Sequence, residues 1–429
     1  MCSSDLQRGA GSIKQRLRAL DLALQAHSAL WLPRPFRELE LPWHQTHPQL
    51  HAWLLALSDA QVQVFENDHS ALCNALAAFV PDIAELPALV DVPTMAHRPD
   101  MNDANTFALP TGFEWGIGGR KWAQVVAFAE AIGAPTSARN SDPSERANAY
   151  EYLDWCAGKA HLARYLAQTT RATAQALERN APLVAAGQAL AHRQRLPVTL
   201  HVQDVLHDDA HRHLTPNSHA VALHACGRLH VRLLRLATEH ALPRLSVAPC
   251  CHYLCDANDT ALSRFGRSSP LQFTPEDLHL AVQETVTSGR SAQQMRTRES
   301  AWRLGFDVLQ RRLQGTDTYL NTPSAPRELL RADFAAFVAW AAVAKGIALP
   351  AALALDEFES IGRERHATVT RLALVRHAFR RPLECLLTFD RAHYLEEHGY
   401  TVQVGAFCPR RITPRNLLID AVHTAAGAA

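Results

Sequence analysis

Tyr152-Leu153-Asp154-Trp155-Cys156-Ala157-Gly158-Lys159-Ala160-His161-Leu162 is the stretch that decides the fold. It reads as a short apolar strand ending on an acid, a glycine turn and the start of a helix. An open α/β sheet grips a nucleoside cofactor at such a place, the carboxyl end of its first strand. Two more strands with acidic ends follow. Thr173 to Leu177 is predicted as a strand with Glu178 at its end, and Val198 to Val202 as a strand followed by Gln203 and Asp204. Strands over 149–154, 220–224 and 245–248 and a helix over 182–193 complete the pattern. This alternation predicts an α/β fold with a mostly parallel sheet covered by helices on both faces.

The flanking segments read differently. Residues 13 to about 85 carry runs of Leu, Ala and Trp broken by prolines at 33, 35, 42 and 48, which predicts helical hairpins. Residues 86–111, rich in proline and polar groups, predict a connector. Lys121 to Ile132 is predicted as a helix stopped by Gly133-Ala134-Pro135. No strand is evident over 256–384, where amphipathic patterns run at 275–314, 330–346 and 363–380. Tyr394 to Ile419 reads helix, strand, turn, strand, and the alternating Tyr400–Phe407 is expected to return to the sheet as an edge hairpin. The expected division is an N-terminal helical region at 13–110, a sheet domain at 111–255, a helical insertion at 256–384 and the last strands at 385–424.

Composition bounds the function classes. A chain of 429 residues with 47% hydrophobic and 20% charged residues is an ordinary globular protein of two or three domains. A formal net charge of +1 neither favours nor excludes a nucleic-acid partner. With 23 histidines, the charge rises steeply as pH falls toward 6. The nine cysteines lack disulfide spacing, and five lie between Cys156 and Cys255. Free thiols there suit a reducing, cytoplasmic setting. No apolar stretch reaches the roughly 20 residues of a membrane span. The first dozen residues, MCSSDLQRGAGS, lack a signal-peptide core and read as a frayed or non-native start.

The first turn holds only Gly158 of a GxGxxG fingerprint, which argues against a dinucleotide. S-adenosylmethionine has no pyrophosphate and suits this turn better. Asp154 is placed to receive its amino group, directly or through water. Gly158 lets the chain pass close to the ligand. Glu178, 24 residues after Asp154, can accept both ribose hydroxyls, and Asp204 can accept from the adenine amino group. The competing reading of each acid is a helix cap. His224-Ala225-Cys226-Gly227 ends the fourth strand and Pro249-Cys250-Cys251-His252-Tyr253 the fifth. His224 and His252 are therefore candidates to orient a hydroxyl or amine nucleophile. Cys250 is a third catalytic candidate. The competing readings are a satisfied core histidine for His224 and small buried hydrophobes for Cys226 and Cys250. Thiolates and imidazoles at 226–255 suit zinc. Adjacent cysteines in a strand point in different directions, however, and no CxxC pair repeats, so no metal is assigned. No Asn-Pro-Pro-Tyr or Asp-Pro-Pro-Tyr follows the fourth strand, which argues against exocyclic amino methylation of adenine.

Asp154 to Leu162, Ala222 to Gly227, Pro249 to Tyr253 and Leu386 to Leu418 resemble bacterial relatives of the methyltransferase-like 25 family. That family includes the protein once called ribosomal RNA adenine dimethylase domain-containing 1. The resemblance covers roughly 115 to 419. The Cys-Gly and Cys-Cys-His motifs are also similar to those of the family that 2'-O-methylates the tRNA acceptor stem. Glutathione S-transferase C-terminal domain-containing protein carries a similar unit. The resemblance implies a Rossmann-like class I methyltransferase sheet and S-adenosylmethionine as cofactor. Cys156, Gly158 and His161 of the matching stretch are expected to join Asp154, Glu178, Asp204 and His224 around it. Gly116 to Trp122 matches a stretch with paired basic residues, so Arg120 and Lys121 are expected at the cofactor carboxylate or a substrate phosphate, with a plain solvated helix start as the competing reading. The chain departs from the family at Ala160, usually glycine, and at Arg228, usually an acid.

RNA, with tRNA among the options, is the expected substrate; neither DNA nor a membrane is expected. Arginines at 290, 296, 298, 303, 311 and 312, at 363, 365, 371, 376, 380 and 381, and at 410, 411 and 415 make a phosphate-binding surface if they align. A salt-laced helix surface is the competing reading. Trp302, Phe306 and Phe358 read as core anchors rather than base-stacking platforms. Protein methylation and a non-catalytic cofactor- or RNA-binding module stay open beside the RNA reading.

Overall fold

The computed structural model describes residues 11–95, 109–133, 150–283 and 290–427. Residue 149, Ala134, Pro135, the connector over 96–108 and residues 1–10 and 284–289 lie outside the described residues, as does the side chain of Arg290. The described chain forms two compact units: one of residues 1–25, 88–284 and 380–429, the other of 26–87 and 285–379. Two segments read separately in the sequence thus share the second unit.

The first unit is built on seven strands: β1 Glu151–Trp155, β2 Ala174–Glu178, β3 Val198–Val202, β4 Ser218–Cys226, β5 Arg244–Cys250, β6 Tyr400–Ala406 and β7 Leu417–His423. Their order is β3-β2-β1-β4-β5-β7-β6. Strands β1 to β5 pair in parallel, and β7 joins β5 and β6 antiparallel. The longer helices are α1 Ile13–Ala26, α2 Gly119–Ile132, α3 His161–Thr170, α4 Ala181–Arg193, α5 Arg228–Glu239 and α6 Arg380–Glu396. This is the Rossmann-like sheet of class I methyltransferases, with Tyr400–Ala406 at the edge. The parallel strands end along one margin, so the residues just after β1 to β5 converge on one crevice.

Local sequence explains the elements. Every residue of β5 is buried, as expected for a central strand covered on both faces. Helix α5 puts Val231, Leu233, Leu234, Leu236 and Ala237 inward and its arginines outward. A buried polar chain joins three strands. His219 of β4 lies 2.8 Å from the Ser246 hydroxyl of β5, which donates to Asp420 of β7 at 2.6 Å, and Arg244 pairs with the same acid at 2.9 Å. Such groups are tolerated inside because they satisfy one another. Fourth-strand pairing runs past the expected 224 to Cys226 through an irregularity between Leu223 and Ala225.

In the second unit, helices at Arg290–Gln314, Phe334–Lys345 and Leu355–His377 enclose an aromatic core. Trp302, Phe306, Phe334, Phe337 and Phe358 are buried there. Asp307, 1% exposed, receives both Arg311 and Arg365. Arg303 pairs with Glu299, Arg312 with Glu357 and Arg371 with Asp59. Arg298 donates to the Leu330 carbonyl and Arg376 to that of Trp31. The expected free arginine face is thus largely spent on internal partners in this unit. Arg303 and Arg311 meet acids one helical turn away, while the others meet acids or carbonyls distant in the chain.

Candidate active site

The turn after β1 adopts a glycine-like backbone with few glycines. Cys156, Gly158 and Ala160 all lie in the left-handed region, at φ of 61°, 60° and 54°. A side chain built on Gly158 would meet nothing within 4 Å, so the space over the turn is open. Non-glycine residues in this region are uncommon and cost about 1 kcal/mol each. Seven described non-glycine residues have positive φ. Three of them, Arg171, Arg195 and Ala241, follow helix ends, where such a conformation is ordinary. The other four, Cys156, Ala160, His224 and Cys251, gather at the carboxyl ends of β1, β4 and β5.

A cavity of about 180 Å³ opens beside this turn, lined by Cys156, Glu178, Gln203, Asp204, Val205 and Leu229 among others. Glu178 is half-buried; its Oε2 accepts the Gly158 N–H at 3.0 Å and its Oε1 accepts the Asn180 N–H at 2.9 Å. Each oxygen keeps a lone pair for a hydroxyl donor. Asp204 is exposed, and its Oδ1 accepts the Leu206 N–H at 2.9 Å. An acid at the β2 end, an open glycine and apolar Val205 and Leu229 fit the nucleoside end of S-adenosylmethionine. The cavity is below the roughly 300–1,000 Å³ of whole-ligand pockets, so it takes part of that molecule. A second cavity, about 190 Å³, lies elsewhere in the unit near Leu17, Asp21 and Asp390. Asp390 there is already engaged by the N–H groups of Leu262 and Ser263 and by the Ser263 hydroxyl.

Two expected cofactor residues stand behind the cavity wall. Asp154 is 3% exposed and its Oδ2 accepts the Ala163 N–H at 3.1 Å, so it ties β1 to the first turn of α3. Burial pushes its carboxyl up to about 7, against that hydrogen bond and the field of Lys121. His161 is buried, and its Nδ1 accepts from Arg164 at 3.1 Å. Burial, with Arg164 beside it, lowers His161 to about 4. Lys121, exposed near the start of α2, is within electrostatic reach of Asp154, His161 and His224. Burial holds the Cys156 thiol well above its ordinary range.

At the ends of β4 and β5 the structure separates the three catalytic candidates. His224 faces α2, with Nε2 2.8 Å from Gln124 Oε1. The Gln124 amide nitrogen donates to the Ile412 carbonyl at 3.3 Å, which fixes the amide orientation. His224 therefore carries its proton on Nε2 and keeps Nδ1 as the lone-pair nitrogen. Burial and then Arg415 lower it to about 4, so it is neutral. His252, expected beside it, is 1% exposed, and its ring packs on His230 at 5.3 Å. The left-handed Cys251 turns the chain into a short 3-10 turn in which His252 is buried. Cys250 is buried, with its sulfur 3.4 Å from Cys226.

The same left-handed turn brings Cys251 back toward its neighbours, contrary to the alternation expected of adjacent strand residues. The sulfurs of Cys226, Cys250 and Cys251 all lie within 4.8 Å of one another. Hydrogen bonds from Cys226 and Cys250, and then Arg415, bring the Cys251 thiol down to about 3. A hydrogen bond with Cys250 lowers Cys226, but its bond to Cys251 and burial outweigh that and leave it at about 11. Arg228, where an acid is usual in the resembled family, pairs with exposed Asp256 at 3.0 Å.

Gln124 is a functional candidate that the sequence did not disclose: it lies 100 positions from His224 and no local pattern marks it. Arg415, expected among the phosphate-binding arginines, lies within electrostatic reach of His224 and Cys251, a placement no local pattern gives. The positive φ values at Cys156 and Cys251 were equally hidden, because cysteine carries no preference for that region.

Sheet order, crevice and turn together define a class I methyltransferase fold. Residues 120–258 match a family model described as a methyltransferase domain. The matched span runs from α2 past the cysteine cluster, so it contains every site residue described above except Arg415. No curated protein and no solved structure matches the chain. Among the described residues no helix is long and apolar enough to cross a membrane.

Proposed function

We propose that this protein transfers a methyl group from S-adenosylmethionine to RNA. The observation that carries the reading is the cavity lined by Cys156 of the β1 turn, Glu178 and Asp204, with His224 on the strand next to β1. Bound there, the cofactor supplies an electrophilic methyl on a sulfonium. The residues then have to align an acceptor and exclude water, since such transfer needs geometry more than acid–base strength. Glu178 and Gly158 hold the nucleoside end, and Asp154 positions the turn from behind. Neutral His224, oriented by Gln124, accepts the hydrogen bond of an incoming hydroxyl or amine at Nδ1.

An anionic acceptor is supported by Lys121 and Arg415, both within electrostatic reach of His224, and by the basic residues beside them in sequence. Arg120 and Lys121 lie on α2, and Arg410, Arg411 and Arg415 lie in the β6–β7 connection. Gln124 bridges the two elements by touching Ile412 and His224. The resemblance to the methyltransferase-like 25 family and to the tRNA 2'-O-methylating family points the same way, and free thiols suit a cytoplasmic setting. Protein methylation is the second reading, because the same basic rim accepts an acidic protein.

Purified protein is incubated with methyl-labelled S-adenosylmethionine and separated RNA and protein fractions of a cell extract, with Glu178→Ala as control. Label in one RNA size class supports the proposal. Label in protein alone overturns the RNA reading and keeps methyl transfer. Cofactor binding without label in either fraction favours a non-catalytic module.

A further inference from the structure

We infer that Cys226, Cys250 and Cys251 form a site for a thiophilic divalent cation, Zn²⁺, with one coordination position left open. Cys226 and Cys250 are register partners at the ends of adjacent parallel strands, 3.4 Å apart at sulfur. The Gly227 N–H donates to the Cys250 carbonyl at 3.0 Å and locks the two ends together. Cys251, at φ 50° and ψ 46°, folds its sulfur onto the same spot. All three sulfurs fall within 4.8 Å. A tetrahedral zinc with Zn–S bonds of about 2.3 Å spaces its sulfurs about 3.8 Å apart. The 3.4 Å pair and the 4.8 Å upper bound lie on either side of that value, a spacing that side-chain rotation can adjust.

Charge and access agree with this assignment. Three thiolates on a divalent cation leave one negative charge. Arg415, within electrostatic reach of Cys226 and Cys251, supplies the balancing positive charge. Its Nε is buried with no hydrogen-bond partner among the described residues, while its Nη2 donates to the Val282 carbonyl at 3.1 Å. No fourth His, Cys, Asp or Glu donor joins the trio among the described residues. His224 places neither ring nitrogen in the group, and His252 turns toward His230. Cys226 and Cys251 are half-exposed, so an exogenous donor can reach the fourth position. Three protein ligands and an open position are the pattern of reactive rather than structural zinc sites. The other five described cysteines, Cys73, Cys156, Cys255, Cys385 and Cys408, belong to no such group.

The inference concerns metal binding alone and stands apart from the methyl-transfer proposal. Full-length protein, reduced and metal-stripped, is titrated with Zn²⁺ without cofactor or RNA. Co²⁺ serves in parallel as a spectroscopic probe for thiolate-to-metal charge transfer. The expected result is one metal per chain with a charge-transfer band. Affinity should fall by about 100-fold or more in Cys226→Ser and in Cys251→Ser. Cys73→Ser and Cys408→Ser should bind as the parent does. Cys251 is half-exposed, so its variant should keep the parent circular dichroism even if a change at buried Cys250 does not. Absent stoichiometric binding, undiminished binding in both serine variants, or oxidation to a disulfide that metal does not prevent would each overturn the site. Calorimetry with S-adenosylmethionine on the same metal-stripped protein tests the cofactor pocket separately, so the two failures are distinguishable.

Discussion

The backbone N–H of Gly158, in the turn after β1, donates to Glu178 Oε2 at the end of β2 over 3.0 Å. The other Glu178 oxygen holds the Asn180 N–H, and the Asn180 side chain in turn caps α4 through Leu183. One carboxylate therefore shapes the turn, starts a helix and faces the cavity. Glu178→Gln keeps one acceptor oxygen and loses the second together with the charge. Cofactor affinity is expected to fall about 10- to 100-fold, the worth of a charged hydrogen bond, with little change in melting temperature. Isothermal calorimetry checks this, and an unchanged dissociation constant would remove Glu178 from the site.

Ala160 tests the cost of a left-handed turn without glycine. It is fully buried at φ 54° and belongs to the core around α3. Ala160→Gly relieves roughly 1 kcal/mol of backbone strain but loses about 0.8 kcal/mol of buried methyl, so stability should change by less than about 1 kcal/mol. Ala160→Val places a β-branched residue where that conformation is a genuine outlier, and should cost more than about 2 kcal/mol. Urea unfolding of the two variants gives the order; equal stabilities would mean that the turn relaxes.

Gly227 meets a steric limit as well as a conformational one. Its φ is 52°, and an added Cβ would lie 2.5 Å from Leu254 Cβ and 2.6 Å from the Leu254 carbonyl carbon. Gly227→Ala is expected to destabilise by about 2 kcal/mol or more. Combining it with Leu254→Gly, which removes that Cβ, should not restore stability, because the obstacle also includes the Leu254 carbonyl carbon and oxygen. Recovery in the double variant, measured by thermal unfolding, would show that the clash is with the side chain alone.

Acid should destabilise the sheet unit through its buried histidines. His161 and His224 are lowered to about 4 and His230 to about 3, while His219 and His252 fall well below 6.5, in every case chiefly through burial. The unfolded chain binds protons at these sites below about 6.5 and the folded chain does not, so their contribution is present above 6.5 and is lost as pH falls toward 4. Asp154, raised to about 7, acts oppositely, since its folded carboxyl holds a proton between about 3.8 and 7. Five histidines outweigh one aspartate. Melting temperature should drop between pH 7 and 5, and a flat or rising profile would contradict the burial of these rings.

His224 and His252 should respond differently to truncation. His224→Ala is expected to lower turnover about 100-fold with little effect on cofactor affinity. Gln124→Leu should lower turnover less, by freeing the tautomer that Gln124 fixes. His252→Ala should lower melting temperature and leave turnover of the folded enzyme near the parent value. Single-turnover methyl transfer at a permissive temperature separates these outcomes. A turnover defect in the folded His252 variant would return that ring to the reacting centre.

The strand-and-helix alternation was legible because each element writes its own period. Asp154, Glu178 and the run at 198–202 each mark a strand end, and the elements lie within a few residues of their predicted places. Asp154 and Glu178 look alike in sequence, one acid after one apolar run. Burial divides them, sending Asp154 behind the turn and leaving Glu178 in the cavity wall. The arginines could not be read as free or paired from spacing alone. Arg365 and Arg311 converge on Asp307 from helices that are distant in the chain.

By itself the sequence determined the parallel sheet, its acidic strand ends and the helical character of the remainder, since hydrophobic periodicity and turn residues act over a few neighbours. Only the tertiary structure decided which side chains share the crevice. Cys251 joins Cys226 and Cys250 because its backbone is left-handed, His252 is buried in the short turn that follows, and Gln124 and Arg415 arrive from elements far away in sequence. Those choices depend on packing and hydrogen bonding between strands and helices, and no local pattern in the chain encodes them.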